Sequence, residues 1–170
     1  MHTENTQPNP VQDSFTGVKI RVAQRRDIET ALALIEELLA ELGGEGREFA
    51  RVQREKLRAD ADSNLDSGRF LALLAKDESG TAVGVLTLSA SFALYAGGDY
   101  GTIDEMYVRP GYRGVGIGRQ LVQAAVAIAR ERGWYRLDVT GPADQRDERA
   151  MRFYERLGFE FTGPKLRLLT

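Results

Sequence analysis

The chain has 170 residues, 42% hydrophobic and 28% charged, enough to bury one core and too few for two comfortable domains. With 23 Lys+Arg against 25 Asp+Glu the net charge is -2, so the basic excess of a duplex nucleic-acid binder is missing, and the longest apolar runs, such as residues 123–129, fall short of the roughly 20 that span a bilayer. Zero Cys and a single His, His2, remove disulfides, thiolate metal sites, Cys-acyl intermediates and His-based triads or metal centres, which leaves Asp, Glu, Tyr, Lys or a terminus as acid or base.

Residues 1–17 lack periodic apolar positions and lack the basic start and apolar stretch of a secretory signal. They are expected to form a disordered arm ahead of one domain over residues 18–170, in a cytoplasmic protein. VKIRVA (18–23) alternates as a first strand, and Asp27 offers an N-cap to a helix whose Ala31, Leu34, Ile35, Leu38, Leu39 and Leu42 follow the helical period up to Gly43 and Gly44. A weaker helix over residues 47–60 carries Arg47, Arg51, Arg54 and Arg58 along one face. That stripe reads as a solvated face with an Arg51–Glu55 pair, or else as an anion-binding face or substrate lid. RFLALLAK and TAVGVLTLSASFAL read as strands joined by a hairpin at residues 77–80, and GTIDEMYVRP as a third strand closed by Pro110. A helix follows from Gly116 to Arg132, stopped by Gly133, then the strand YRLDVT. A last helix, capped by Asp144, carries Ala150, Phe153, Tyr154 and Leu157 on one face and ends at Gly158; FEFTG and KLRLLT close the chain as short strands.

Three consecutive strands on short turns are expected to be antiparallel, whereas the strand-helix-strand passage from Ile103 to Val139 demands a parallel neighbour and a right-handed crossover. The fold class is therefore α/β (α+β) with a mixed sheet and helices on both faces.

The segment RPGYRGVGIGR (109–119) joins a strand to a helix N-terminus and places Gly111, Gly114, Gly116 and Gly118 within eight positions. Such a loop lets backbone approach a ligand and aims unpaired N–H groups at an anion, with Arg113 and Arg119 flanking. It lacks the Lys-[Ser/Thr] of a triphosphate-binding P-loop, and Arg119 stands where a dinucleotide fingerprint needs its third Gly. The string Arg113-Gly-Val-Gly-Ile-Gly118 instead resembles the acyl-CoA loop of the GNAT superfamily of N-acetyltransferases, [QR]-x-x-G-x-[GA]. Asp147-x-x-Ala150-x-x-Phe153-Tyr154-x-x-x-Gly158-Phe159 is similar to that family's N-x-x-A-x-x-F-Y-x-x-x-G-F segment. The resemblance covers residues 18–170, most closely 103–163.

The resemblance implies a twisted mixed sheet with a splayed central parallel pair. It implies that the backbone of Arg113, Gly114, Val115, Gly116, Ile117, Gly118 and Arg119 holds the diphosphate of acetyl-CoA, used as co-substrate without a metal. Met106, Tyr107 and Val108 would pair with the pantetheine arm as a pseudo-strand. Asp147 stands where the family usually has Asn, so this CoA-side position can accept but not donate when ionised. Acetyl transfer to a primary amine of a small molecule or protein, by direct attack in a ternary complex, is the implied reaction. The absence of Cys agrees with it.

Neutralising an alkylammonium of pKa about 10 needs a base or water relay. Glu105 is the candidate, as base or as amine-binding carboxylate; Asp104 points to the opposite side unless a bulge spoils the alternation. Tyr154 is the candidate acid for the departing sulfur, its other reading being a core aromatic. Tyr107, Tyr100, Tyr95 and Phe92 either line the acceptor side or pack the sheet. A non-catalytic acyl-CoA-binding sensor and a transferase for a longer acyl group are the competing functions. No nucleic-acid or membrane partner is expected, and a homodimer stays open.

Overall fold

The computed structural model describes residues 17–43, 53–140 and 148–163. The N-terminal arm up to residue 16, Arg47, Arg51, Asp144, Asp147 and the KLRLLT stretch, all singled out above, lie outside the described residues.

In chain order the elements are β1 (Lys19–Val22), α1 (Ile28–Leu42), α2 (Arg54–Asp66), β2 (Phe70–Lys76), β3 (Ala82–Ala93), β4 (Gly98–Val108), α3 (Ile117–Glu131), β5 (Leu137–Val139) and α4 (Glu148–Glu155). The sheet runs β1-β2-β3-β4-β5. Its first three pairings are antiparallel and β4-β5 is parallel, as the connection lengths require. Helices cover both faces, which is why β2 reads as a nearly unbroken apolar run and why its five inner residues are all buried. On one face, Ala31 and Leu34 of α1 pack with Ala72, Leu74, Val85 and Tyr107. On the other, Ile117, Leu121, Val122 and Ala125 of α3, with Phe153 and Tyr154 of α4, pack on Leu73, Leu86, Leu88 and Ile103.

Several expectations change in detail. Asp27 does not bond its side chain to the first turn of α1. It closes a 3-10 turn (Arg25–Asp27), and its carboxylate, 5% exposed, takes the Arg21 guanidinium and the Gln24 N–H at 2.9 Å. Of the second helix the described part, Arg54–Asp66, ends later than the sequence pattern suggests, residues 47–52 lying outside the described residues, and the described part of its Arg stripe faces α1. Arg54 pairs with Glu29 and Glu36, and Arg58 with Glu29, so these cations neutralise a neighbouring helix and do not form a free anion site. FEFTG forms no strand: residues 159–163 run on from α4 without regular structure. Among the described residues no helix is long and apolar enough to cross a membrane, and no group of three or more His, Cys, Asp or Glu could hold a metal.

Asp27 supplies a stability prediction. The Arg21 guanidinium, against the cost of burial, holds its pKa at about 2. A depressed carboxylate pKa means stability that is complete above the ordinary value of 3.8 and is lost as pH falls toward 2. Asp27→Asn should therefore cost about 2 kcal/mol in urea unfolding at pH 7, and the gap from wild type should shrink below pH 4.

Candidate active site

The β3-β4 ladder pairs Leu86 with Met106 but Leu88 with Ile103. Between them one residue of β3, Thr87, faces two of β4, Asp104 and Glu105: a β-bulge. The extra residue resets the alternation, so Ile103 and Met106, three apart, both pack on the α3 face while Tyr107 packs on the α1 face. The bulge coincides with the point where β5 leaves. β5 pairs with β4 only from Gly101 to Ile103, with a last long bond from the Thr140 N–H to the Ile103 carbonyl at 3.4 Å. Among the described residues no strand flanks β4 on that side from residue 104 to 108, which leaves an opening in the described sheet.

Glu105 stands at this opening, half-buried, while Asp104 is exposed. Its backbone N–H donates to the Thr87 hydroxyl at 3.1 Å, and that hydroxyl donates to the Glu105 carboxylate. Burial raises the carboxyl above the ordinary glutamate range, the Thr87 hydrogen bond pulls it back, and the Asp104 charge raises it further. A carboxylate of raised proton affinity at this opening is a stronger proton acceptor than an ordinary glutamate.

The Gly-rich loop begins past a 3-10 turn (Pro110–Tyr112) and delivers α3 with Gly116 as its N-cap. Gly114 at φ 80° and Gly116 at φ 91° hold left-handed backbone that favours glycine, and a Cβ at either would meet no atom within 4 Å. The N–H groups of the first helical turn have no partner within the helix, so the loop and helix start form an open donor cradle. Gly118 differs from both. A Cβ there would lie 3.4 Å from the Phe153 ring and 3.9 Å from Met106, ordinary contact distances at the point where α4 and β4 meet the helix start.

The loop is fixed from outside. Arg113 makes a two-point pair with Glu41 of α1 at 2.7 Å, donates to the Val108 carbonyl at 2.6 Å and lies over the Tyr107 ring. Arg109 pairs likewise with Glu37, and the Tyr112 hydroxyl bonds Asp77 in the β2-β3 turn. The Arg113 guanidinium is thus committed to α1 and β4, while Arg119, exposed in the first turn of α3, is the loop cation nearer the helix start. Neither Glu37 nor Glu41 was marked by the sequence pattern, which registered only the apolar face of α1. Thr87 was missed as well; its signal is a lone hydroxyl inside the apolar run VGVLTL.

Tyr154 lies on α4, its ring edge-on to Phe153 at 5.1 Å and to Phe159 at 5.5 Å, in the cluster that includes Met106. Burial pushes its hydroxyl up to about 12, so it carries its proton throughout the physiological range. Of the other aromatics, Tyr107 is buried, and Phe92 (66% exposed) and Tyr95 (80%) project from the far end of the β3-β4 hairpin. Tyr95 and Tyr100 both lie against Arg136, whose guanidinium is 5.0 and 4.8 Å from their ring centres. These four do not form one lining beside Glu105.

The model of the Acetyltransferase (GNAT) family matches residues 32–159. Among similar proteins, glucosamine 6-phosphate N-acetyltransferase of Trypanosoma brucei brucei is 27% identical over 152 residues, 89% of this chain and 95% of that protein. An uncharacterized N-acetyltransferase of Mycobacterium tuberculosis is 30% identical over 67% of this chain and 74% of its own length. The crystal structure of a predicted acetyltransferase with acetyl-CoA from Clostridium acetobutylicum superposes with a TM-score of 0.74, covering 89% of this chain and 96% of that one at 18% identity, which supports the fold. With the splayed parallel pair and the open glycine cradle, the family match over most of its length makes this chain a member of the GNAT family and an acetyltransferase.

Proposed function

We propose that the protein transfers an acetyl group from acetyl-CoA to a primary amine by direct attack in a ternary complex. The observation that carries this reading is the β4 bulge, which puts a carboxylate of raised proton affinity where β5 departs, on the strand that leads into the glycine cradle. The open space before Gly114 and Gly116 fits a diphosphate held by the N–H groups of Gly114, Val115, Gly116, Ile117, Gly118 and Arg119, with the Arg119 charge alongside. Arg113 contributes by fixing the loop. The stretch Met106, Tyr107 and Val108 lies along the edge that a pantetheine arm would pair with, its Val108 carbonyl already accepting from Arg113, and Asp147 is assigned to the CoA side by its sequence position alone. Acetyl-CoA supplies an activated acyl carbon; the chain's own part is to position and to move protons.

Glu105 takes the proton that an ammonium must lose before its nitrogen has a lone pair to attack with. Tyr154 donates a hydrogen bond to the sulfur as negative charge develops there. A phenol held at about 12 is a poorer proton source than an ordinary tyrosine, so its role is charge stabilisation more than complete proton transfer. Tyr154→Phe should then lower kcat about tenfold and leave acetyl-CoA affinity unchanged, measured by initial rates and calorimetry.

The direct test is acetyl-CoA turnover against a panel of primary amines including glucosamine 6-phosphate, an aminoglycoside and a lysine peptide, read as free thiol released. The protein contributes no thiol of its own to that readout. Amine-dependent release with acetylated product supports the reading. Acetyl-CoA binding without turnover on any amine would reject it.

A further inference from the structure

Thr87 is 2% exposed, in a stretch of β3 where Val85, Leu86 and Leu88 are fully buried. A hydroxyl in such surroundings costs free energy unless it is hydrogen-bonded, and Val would fill the same volume with good strand propensity. Both hydrogen bonds of this hydroxyl go to one residue. It accepts the Glu105 N–H at 3.1 Å and donates to the Glu105 carboxylate. The bulge gives the first its setting: where two residues of β4 face one of β3, the Thr87 side chain supplies an acceptor for the Glu105 N–H. The second then ties down the far end of the same residue.

We propose that Thr87 is a positioning residue for catalysis, its single hydroxyl clamping the Glu105 backbone and carboxylate together so that the free carboxylate oxygen faces the acceptor amine. This rests on the reading of Glu105 as the base. The clamp also opposes the two influences that raise the Glu105 proton affinity, burial and the Asp104 charge. From α1, the carboxylates nearest this face, Glu37 and Glu41, reach Tyr107 and are held by Arg109 and Arg113.

The test compares wild type with Thr87→Val, which keeps the shape and removes the hydroxyl, and Thr87→Ser, which keeps the hydroxyl and removes the methyl. Glu105 is titrated directly in the ligand-free, full-length protein by carboxyl carbon NMR, its signal identified by its loss in Glu105→Gln. Kinetic pH profiles follow with the best amine of the panel. An O–H donor favours the ionised form, so Thr87→Val should move the Glu105 midpoint upward by about one pH unit, a tenfold change in proton affinity. The acidic limb of kcat/KM should move with it and kcat should fall at least tenfold at unchanged KM for acetyl-CoA, while Thr87→Ser stays close to wild type in all three. An unmoved Glu105 titration in Thr87→Val, or a Thr87→Ser variant that behaves like it, would overturn the proposal. Should the valine variant fold poorly, Thr87→Ala carries the same comparison without branched methyls. Failure of the underlying reading looks different: Glu105→Gln would stay fully active while the Thr87 variants still separated in the titration.

Discussion

Glu105→Gln should lower kcat by about a hundredfold to ten-thousandfold, the range a positioned general base contributes, with little change in acetyl-CoA affinity. Gln preserves the volume, and its carbonyl oxygen can still accept the Thr87 hydroxyl, so the bulge geometry survives the exchange. What disappears is the proton acceptor, and with it the acidic limb of the kcat/KM profile, which in wild type should lie above the ordinary glutamate range because burial raises the carboxyl. The stability consequence has the opposite sign. A carboxyl whose folded pKa is raised favours the fold while protonated, and that contribution is lost as pH rises through the folded value. Once ionised, Glu105 is therefore a cost that Gln removes. The variant should melt at the same temperature as wild type or higher, and the gap should close at acidic pH. A Glu105→Gln enzyme within threefold of wild-type kcat would sink the base assignment and turn attention to a water relay or to Asp104.

The mixed order of the sheet was readable because connection length dictates strand direction: a four-residue turn at Asp77 to Gly80 allows only an antiparallel partner, and a helical crossover allows a parallel one. The glycine loop was equally legible, since left-handed backbone at Gly114 and Gly116 leaves a compositional mark. The bulge was not. It inserts no unusual residue; it shows only in the register, where Thr87 faces Asp104 and Glu105, and register is a long-range property of two strands. For the same reason sequence singled out Glu105 but not its partner eighteen positions away on β3. Arg113 illustrates a second limit: a cation in a glycine loop is expected at the anion, yet Glu41, 72 positions earlier on α1, claims it. The end of α2 at Asp66 was not legible because the helix has a sparse apolar face, and its cross-helix pairs with Glu29 and Glu36 depend on the tertiary arrangement.

Placing a carboxylate at the cradle itself should separate binding from chemistry. Gly116 caps α3 in left-handed backbone, and a side chain added there would stand in open space before the helix N-terminus. Gly116→Glu therefore imposes two penalties: about 1–2 kcal/mol of backbone strain, and a negative charge where unpaired N–H groups and the helix dipole would otherwise receive a diphosphate. Loss of even two charge-assisted hydrogen bonds, about 1.5–3 kcal/mol each, weakens acetyl-CoA binding at least a hundredfold, and free CoA should be weakened equally because the acetyl group lies far from the cradle. Gly116→Ala isolates the strain and should fall between the variant and wild type. Gly118→Ala, whose new methyl meets Phe153 at an ordinary 3.4 Å, should lose little. Calorimetry with acetyl-CoA and CoA on the three variants reads all of this directly. Unimpaired binding to Gly116→Glu would move the diphosphate elsewhere on the protein. Lost binding there, beside intact binding and lost turnover in Glu105→Gln, would assign the cradle and the bulge their separate tasks.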